Sequence, residues 1–275
     1  MIEILADFHT HTTHSPVNHG KGSIEDNVKA AIDRGLRAVA VSDHGVGHIG
    51  HGIPDMERYL REIEEIRNKY ADQIKVYSGY EANLQSLSGD TDIPDAWAAT
   101  IDIPSVGAHR FVRHPNPKDW FELTLRPKRR TGSSALAENT SAFVQALTGG
   151  PAVFMTHPGY LLPVDVKALA KEAHDGNFFL EINARHPEFT AEEISDAADA
   201  GAMFIVNSDA HGPQYVGNFA SALERLEKAG VVASQVVNSS ENIDEFIEIL
   251  EKRRSARGPR TFDTVLAEVR GAPSA

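Results

Sequence analysis

The chain has no cysteine among its 275 residues. That absence removes disulfides, thiolate zinc fingers, iron–sulfur clusters and cysteine nucleophiles together, and it leaves any metal site to nitrogen and oxygen donors from His, Asp and Glu. Positive charge is also scarce. The balance of 27 Lys and Arg against 39 Asp and Glu, a formal charge of −12, disfavours long-range attraction to nucleic acid or to an anionic membrane surface. No apolar run approaches the roughly 18 residues of a membrane span. The start, Met1-Ile2-Glu3-Ile4-Leu5-Ala6-Asp7, has no basic flank and reaches a carboxylate too early for a secretory leader, so a cytoplasmic location is expected. No internal repeat, low-complexity tract or Pro/Gly/Ser linker divides the chain. One domain over 1–275 is expected, with 255–275 as a C-terminal extension.

What is present is an alternation of short apolar runs with segments of helical period, the pattern of a parallel sheet wrapped by helices. Seven strands are predicted, over Glu3–Phe8, Ala38–Ser42, Lys75–Tyr80, Ile103–Ala108, Ala152–Thr156, Phe178–Ile182 and Met203–Asn207. Helices are predicted over Ser23–Arg34, Asp55–Tyr70, Ser133–Leu147, Asp165–His174, Thr190–Ala200, Asn218–Ala229 and Glu241–Arg253. Ser23 with Asp26, and Thr190 with Glu193, read as capping boxes. The fold class is therefore α/β, a single barrel-like domain. One segment, Arg110–Thr131, holds three prolines and no clear period. A loop that long in a compact domain is usually functional or mobile.

Thirteen histidines are distributed unevenly along this pattern. His9 and His11 follow the first predicted strand, His44 the second, Glu81 the third, His109 the fourth, His157 the fifth, and Asp209 with His211 the seventh. In a parallel α/β barrel the C-terminal strand ends face one mouth, so side chains 200 residues apart in sequence converge there. Residues two apart on an extended segment share a face, and the two imidazoles of His9-Thr10-His11 can therefore bind one metal. Asp209-Ala210-His211 repeats the spacing with a carboxylate. Such a coincidence of strand ends points to a metal site.

Asp7-Phe8-His9-Thr10-His11, Ser42-Asp43-His44-Gly45, Gly79-Tyr80-Glu81-Ala82-Asn83, Thr156-His157-Pro158-Gly159, Glu181-Ile182-Asn183 and Ser208-Asp209-Ala210-His211 resemble, in order, the motif series of the PHP (polymerase and histidinol phosphatase) superfamily. The likeness is strongest to its stand-alone bacterial phosphatase branch. The resemblance implies a distorted seven-stranded, TIM-like (β/α)7 barrel and three divalent metal ions, zinc first, with manganese or iron as alternatives. The implied metal ligands are His9, His11, His44, Glu81, His109, His157, Asp209 and His211, plus one histidine further on from the H-x-H pair. His14 and His19 are both available for that place. His19 is preferred because it precedes the Gly20-Lys21-Gly22-Ser23 run, as the family's third histidine does. The implied partition gives one ion to His9 and His11, a second to His109 and His157 with Glu81 bridging, and a third to His19, His44 and His211.

The chemistry expected of such a site is hydrolysis of a small phosphomonoester by a metal-activated water, with Asp209 and Glu81 as catalytic carboxylates. The general acid is left open between Asp209 and an unliganded histidine. Asp43 and Asp7 read either as carboxylates orienting histidine N–H groups or as ordinary strand-end hydrogen-bond acceptors. The Arg110–Thr131 segment carries seven basic and two acidic side chains, a local basic patch. Arg110, Arg113 and Arg185 are candidate phosphate contacts by planar, bidentate pairing. His48, in the Gly45–Gly52 loop, is a candidate substrate contact, whereas His114, His174 and His186 read as surface residues. Two rival readings are an amidohydrolase-like C–N hydrolase, disfavoured because no predicted strand ends in lysine, and a non-catalytic metal-binding module.

Overall fold

In the computed structural model, which describes residues 2–256 apart from residue 177, the apolar runs pair in chain order. The strands are β1 (Ala6–Asp7), β2 (Ala38–Val41), β3 (Lys75–Asn83), β4 (Ile103–Gly107), β5 (Phe154–Met155), β6 (Phe179–Asn183) and β7 (Phe204–Asn207). They form one seven-stranded parallel sheet in the order β1 to β7. The sheet curls into a TIM-like barrel whose seam lies between β7 and β1. Among the described residues no regular ladder spans that seam. The Asn238 side chain donates to the carbonyls of Ala6 (2.8 Å) and Val206 (2.6 Å) and accepts from Val206 N–H at 3.0 Å. Asn207 Oδ1 accepts from Phe8 N–H at 2.8 Å. Above them, a parallel bridge joins Thr10 to Ala210, with His11 N–H on the Ala210 carbonyl at 2.7 Å. Side-chain amides standing in for strand partners explain why β1 is shorter than the predicted Glu3–Phe8. In contrast β3 runs past the predicted Tyr80, because Glu81 pairs with Ser105 and Asn83 with Gly107. Glu81 thus lies within a strand rather than beyond its end.

The helices are α1 (Ile24–Asp33), α2 (Met56–Lys69), α3 (Asp95–Ala98), α4 (Pro117–Trp120), α5 (Ser133–Gly149), α6 (Val166–Gly176), α7 (Ala191–Asp199), α8 (Ala220–Ala229) and α9 (Ile243–Ala256). Both capping boxes form, at Ser23/Asp26 and Thr190/Glu193. The predicted irregular segment Arg110–Thr131 is instead built from α4 and two further helical turns over Phe121–Leu125 and Pro127–Arg129. Asn116 caps α4 with Pro117 behind it, and Asp119 accepts from Leu87 N–H at 3.0 Å, which pins the segment to the loop after β3. The expected extension at 255–275 falls, beyond Ala256, outside the described residues. Among the described residues no helix is long and apolar enough to cross a membrane.

Strand parity divides the core in two. Val39 and Val41, Val76, Tyr80 and Ala82, Leu180 and Ile182, and Phe204 and Val206 belong to the layer between barrel and helices. Ala6 and Phe8, Ala38 and Ala40, Tyr77, Ile103, Phe154 and Ile205 fill the barrel. That inner layer also contains Ile243, Phe246 and Leu250, so α9 plugs the bottom of the barrel. The Phe246 ring sits edge-on to Phe8 at 5.4 Å and to Phe179 at 5.5 Å. Continuing the inward parity upward replaces apolar residues with Glu81, Asn83, Thr156, Glu181, Asn183 and Asn207, all buried. Phe246→Ala should lower unfolding free energy by about 3–5 kcal/mol, the usual cost of a cavity at a buried Phe, without reducing metal content. Denaturant melts of the metal-loaded protein check this, and a loss below about 1 kcal/mol would mean that α9 does not plug the barrel.

Candidate metal centre

The loops that follow the strands carry the site, and their backbones are fixed by buried carboxylates. Asp7 accepts from Ser208 Oγ and from the N–H groups of Ser208 and Gly217, which holds the Asp209–His211 loop against β1. Asp43 accepts from Thr12 N–H (2.8 Å) and Thr12 Oγ1 (2.6 Å) and so fixes the loop that carries His11. Neither hydrogen-bonds an imidazole. Both stand at outward strand parity and bind backbone and hydroxyl donors of the neighbouring loops. The loop bearing His19 returns so closely that a Cβ on Gly20 would lie 2.0 Å from the Thr12 carbonyl oxygen. Asp92 accepts from Gly47 N–H at 2.7 Å and from the Asn83 N–H and side-chain amide, holding the glycine-rich loop that carries His48.

At the mouth, ring nitrogens and carboxylate oxygens converge. Three groups each bring their ligand-type atoms within 4.8 Å of one another: His11, His19, His44 and His211; His9, His11 and Asp209; and His44, Glu81 and His109. His157 Nε2 lies 2.9 Å from Glu81 Oε1 and 3.3 Å from His109 Nε2. All nine ligands implied by the motif series therefore stand in one cluster, with His11 and His44 each shared between two groups. His14 is elsewhere, paired with Glu62 at 3.0 Å.

Tautomers follow from the partners behind the rings. His9 Nδ1 faces Glu181 Oε1 at 2.8 Å, and His211 Nδ1 faces the Asp209 carbonyl at 2.9 Å. His109 Nδ1 faces Asn83 Oδ1 at 2.8 Å, while the Asn83 amide nitrogen donates to Asp92. Each Nδ1–H is thereby committed outward, and each Nε2 lone pair points into the cluster. There the lone pairs meet one another: His9 and His11 Nε2 are 3.1 Å apart, His19 and His44 Nε2 2.9 Å, and His19 and His211 Nε2 2.7 Å. Glu81 Oε2 and Asp209 Oδ1 are buried with imidazole nitrogens near them, His44 Nδ1 at 2.8 Å and His211 Nδ1 at 3.2 Å, but with no well-aligned hydrogen bond. Acceptors aimed at acceptors, and buried oxygens without a well-aligned hydrogen bond, are what a set of cations would resolve.

The charge states carry the same strain. Burial pushes Glu81 up, but the imidazoles of His109, His9 and His44 outweigh it and hold the carboxyl well below its usual range. Asp209 behaves likewise, burial being overcome by His9, His11 and His211. Burial pushes His9 down, yet Glu181, Glu81 and Asp209 raise it well above the ordinary imidazole value. His44 is pushed down to about 4, by burial first and then by His109 and His211 against the pull of Glu81. His19 falls to about 2, from burial and the adjacent His44 and His211. His19 and His44 are thus held toward the neutral ring, while His9 and His157 are held toward the protonated one beside the carboxylates.

Of the candidate substrate contacts, Arg110, Arg185 and His48 line a cavity of about 210 Å³ over the cluster, and Arg113 is exposed outside that lining. His186 is half-buried rather than on the surface, its ring 5.0 Å from His157 and 4.1 Å from Tyr160, with Nε2 3.4 Å from Asp209 Oδ2. It is brought there because Asn183 Oδ1 accepts from the N–H groups of both Arg185 and His186. His114 is also half-buried, between the Gln85 carbonyl and Thr124 Oγ1. Glu181, Asn83 and Asn207 were not singled out by spacing. The readable signal for them is polarity at inward positions of otherwise apolar strands.

A parallel (β/α)7 barrel with a histidine and carboxylate cluster at its C-terminal mouth defines a class of metallohydrolase-type scaffold, and comparison with known proteins narrows it. Residues 7–160 match the PHP domain, and the chain belongs to that family. It is 27% identical over 247 residues to "Probable phosphatase PMI1003" of Proteus mirabilis, covering 85% of this chain and 89% of that protein. It is 26% identical to a "Probable phosphatase" of Shewanella pealeana, over 95% of this chain and 97% of the relative. Among solved structures, histidinol phosphate phosphatase of Lactococcus lactis, complexed with zinc, L-histidinol and phosphate, superposes with a TM-score of 0.57. That match has 16% identity and covers 82% of this chain and 93% of the other.

Glu181 offers a test of the cluster's support. Its Oε1 accepts from His9 Nδ1 and Asn207 Nδ2, and its Oε2 from His157 N–H and Asn183 Nδ2, all between 2.7 and 2.9 Å. In Glu181→Gln the new amide N–H₂ faces two donors whichever way it turns. Metal affinity should fall about 10–100-fold, measured by competition with a chromophoric chelator, in a protein that remains folded by circular dichroism. Unchanged affinity would show that Glu181 does not position His9.

Proposed function

We propose that this protein is a metal-dependent phosphoesterase that hydrolyses a small phosphomonoester at a centre of three divalent ions, zinc first. The observation that carries the reading is the convergence of inward Nε2 lone pairs on the buried carboxylates of Glu81 and Asp209. The names of the relatives, and the zinc and phosphate of the Lactococcus structure, support it. The donors would be His9, His11, His19, His44, Glu81, His109, His157, Asp209 and His211. When bound, the ions supply Lewis acidity to phosphoryl oxygens and make water a competent nucleophile near neutral pH. With only two carboxylates among nine donors, the loaded pocket stays cationic and favours an anionic ester.

The chain's own groups then divide the work. Glu81 spans the cluster, its Oε1 toward His109 and His157 and its Oε2 toward His44 at 2.8 Å. Arg110 and Arg185, at the rim of the cavity, take peripheral phosphoryl oxygens by charge-assisted hydrogen bonds. Asp209 Oδ2 receives the proton of the attacking water, and His186, 3.4 Å away, relays it to the leaving oxygen. His186 suits a relay because burial and the neighbouring His157 push it down to about 4, leaving the ring free to accept. Among the described residues no lysine is buried, which disfavours the C–N hydrolase reading, since such sites often use a modified lysine between metals.

Inorganic phosphate release from a panel of phosphomonoesters, before chelation, after it, and after metal is restored, tests the reading. Release should fall to background on chelation and return with the metal. Arg185→Ala should raise KM by about tenfold or more, the worth of a charge-assisted hydrogen bond. No release by protein shown to have regained its metal would turn the assignment toward a structural metal role.

A further inference from the structure

The space beside the cluster constrains the alcohol that leaves. A second cavity, about 570 Å³, adjoins the smaller one, and the two share His19, Arg185, Asp209 and His211 as a common wall. A phosphoryl group at the cluster therefore has room for its ester on the far side of His19 and His211. The larger cavity is lined there by Lys21, Asn18, Gln214, Asn218 and Tyr215. The carboxylates that line either cavity are Glu81 and Asp209, and both belong to the metal cluster. Glu188 faces His186 Nδ1 at 3.8 Å, and Asp7, behind Ser208, is taken by donors from Ser208 and Gly217; both lie outside the two linings.

The cations are delivered by fixed backbone. Lys21 N–H bonds the His211 carbonyl at 3.1 Å, between Gly20, packed on Thr12, and Gly22, where a Cβ would lie 2.5 Å from Pro213. Arg185 N–H bonds Asn183 Oδ1 at 2.8 Å. An ammonium group brought into this space would find no carboxylate left to pair it, whereas a second anion would meet Lys21.

We infer that the preferred substrate is a phosphomonoester whose leaving alcohol carries a second anionic group, a carboxylate or a further phosphate, and no free amine. The inference rests on the phosphoesterase reading above. Phosphate release by the metal-loaded protein is compared for 3-phosphoglycerate, glycerol 3-phosphate and O-phosphoethanolamine, whose leaving alcohols are anionic, neutral and cationic. Fructose 1,6-bisphosphate against fructose 1-phosphate supplies the second-phosphate arm. Expected is a kcat/KM at least tenfold higher for an anionic leaving group than for the neutral one, with the amine ester lowest. Lys21→Met should shrink the anionic-to-neutral ratio toward one. Whichever arm shows the larger ratio identifies carboxylate or phosphate as the second anion. An amine ester turned over as well as 3-phosphoglycerate, or a ratio that Lys21→Met leaves intact, overturns the inference while the phosphoesterase reading stands. No release from any of these esters, nor from p-nitrophenyl phosphate, removes that reading and the inference with it.

Discussion

Glu81, Glu181 and Asp209 are buried at the mouth of the barrel, and no buried lysine or arginine accompanies them among the described residues except Arg130, which pairs with Glu122 and Glu138. Carboxylates removed from water must be paired or neutralised. Here the partners are imidazoles, and the structure commits their Nδ1 protons outward at His9, His109 and His211. What remains inside is a shell of lone pairs. Only protons or cations can satisfy it, and the direction in which His9 is shifted shows how protons compete for that place.

The same residues close the barrel. Glu181 holds Asn207, Asn207 holds the backbone of Phe8, and Phe8 is followed by His9, whose ring returns to Glu181. The seam between β7 and β1 is thus a polar circuit rather than a strand ladder. Its lower end is carried by Asn238 and its upper end by the Thr10–Ala210 bridge. Below Phe8 the barrel is apolar and plugged by α9, and above it polar residues occupy the same inward parity. Stability and chemistry are therefore segregated along one axis, as is usual in barrels whose active sites lie at the C-terminal strand ends.

Much of this is legible in the sequence, for identifiable reasons. The seven strands announce themselves as short apolar runs, and the two capping boxes fix where α1 and α7 start. Histidines at strand ends converge because parallel topology makes them converge. What spacing does not convey is side-chain pairing over long range: that Asp7 bonds Ser208 and Gly217, or that His186 folds back onto His157 because Asn183 gathers its N–H group. Glu181 lay in plain view within a motif, and its role depends on donors from residues 9, 157, 183 and 207. The Arg110–Thr131 segment misleads for a local reason. Its α4 is a single capped turn, too short to show a helical period.

The most direct test of whether the lone-pair shell is a cation site is anomalous diffraction at the zinc edge, from crystals of protein whose phosphate release depends on metal. Three peaks per chain are expected: one near His9, His11 and Asp209, one near Glu81, His109 and His157, and one near His19, His44 and His211. A single peak, or peaks away from these donors in protein that is fully active, would contradict the account.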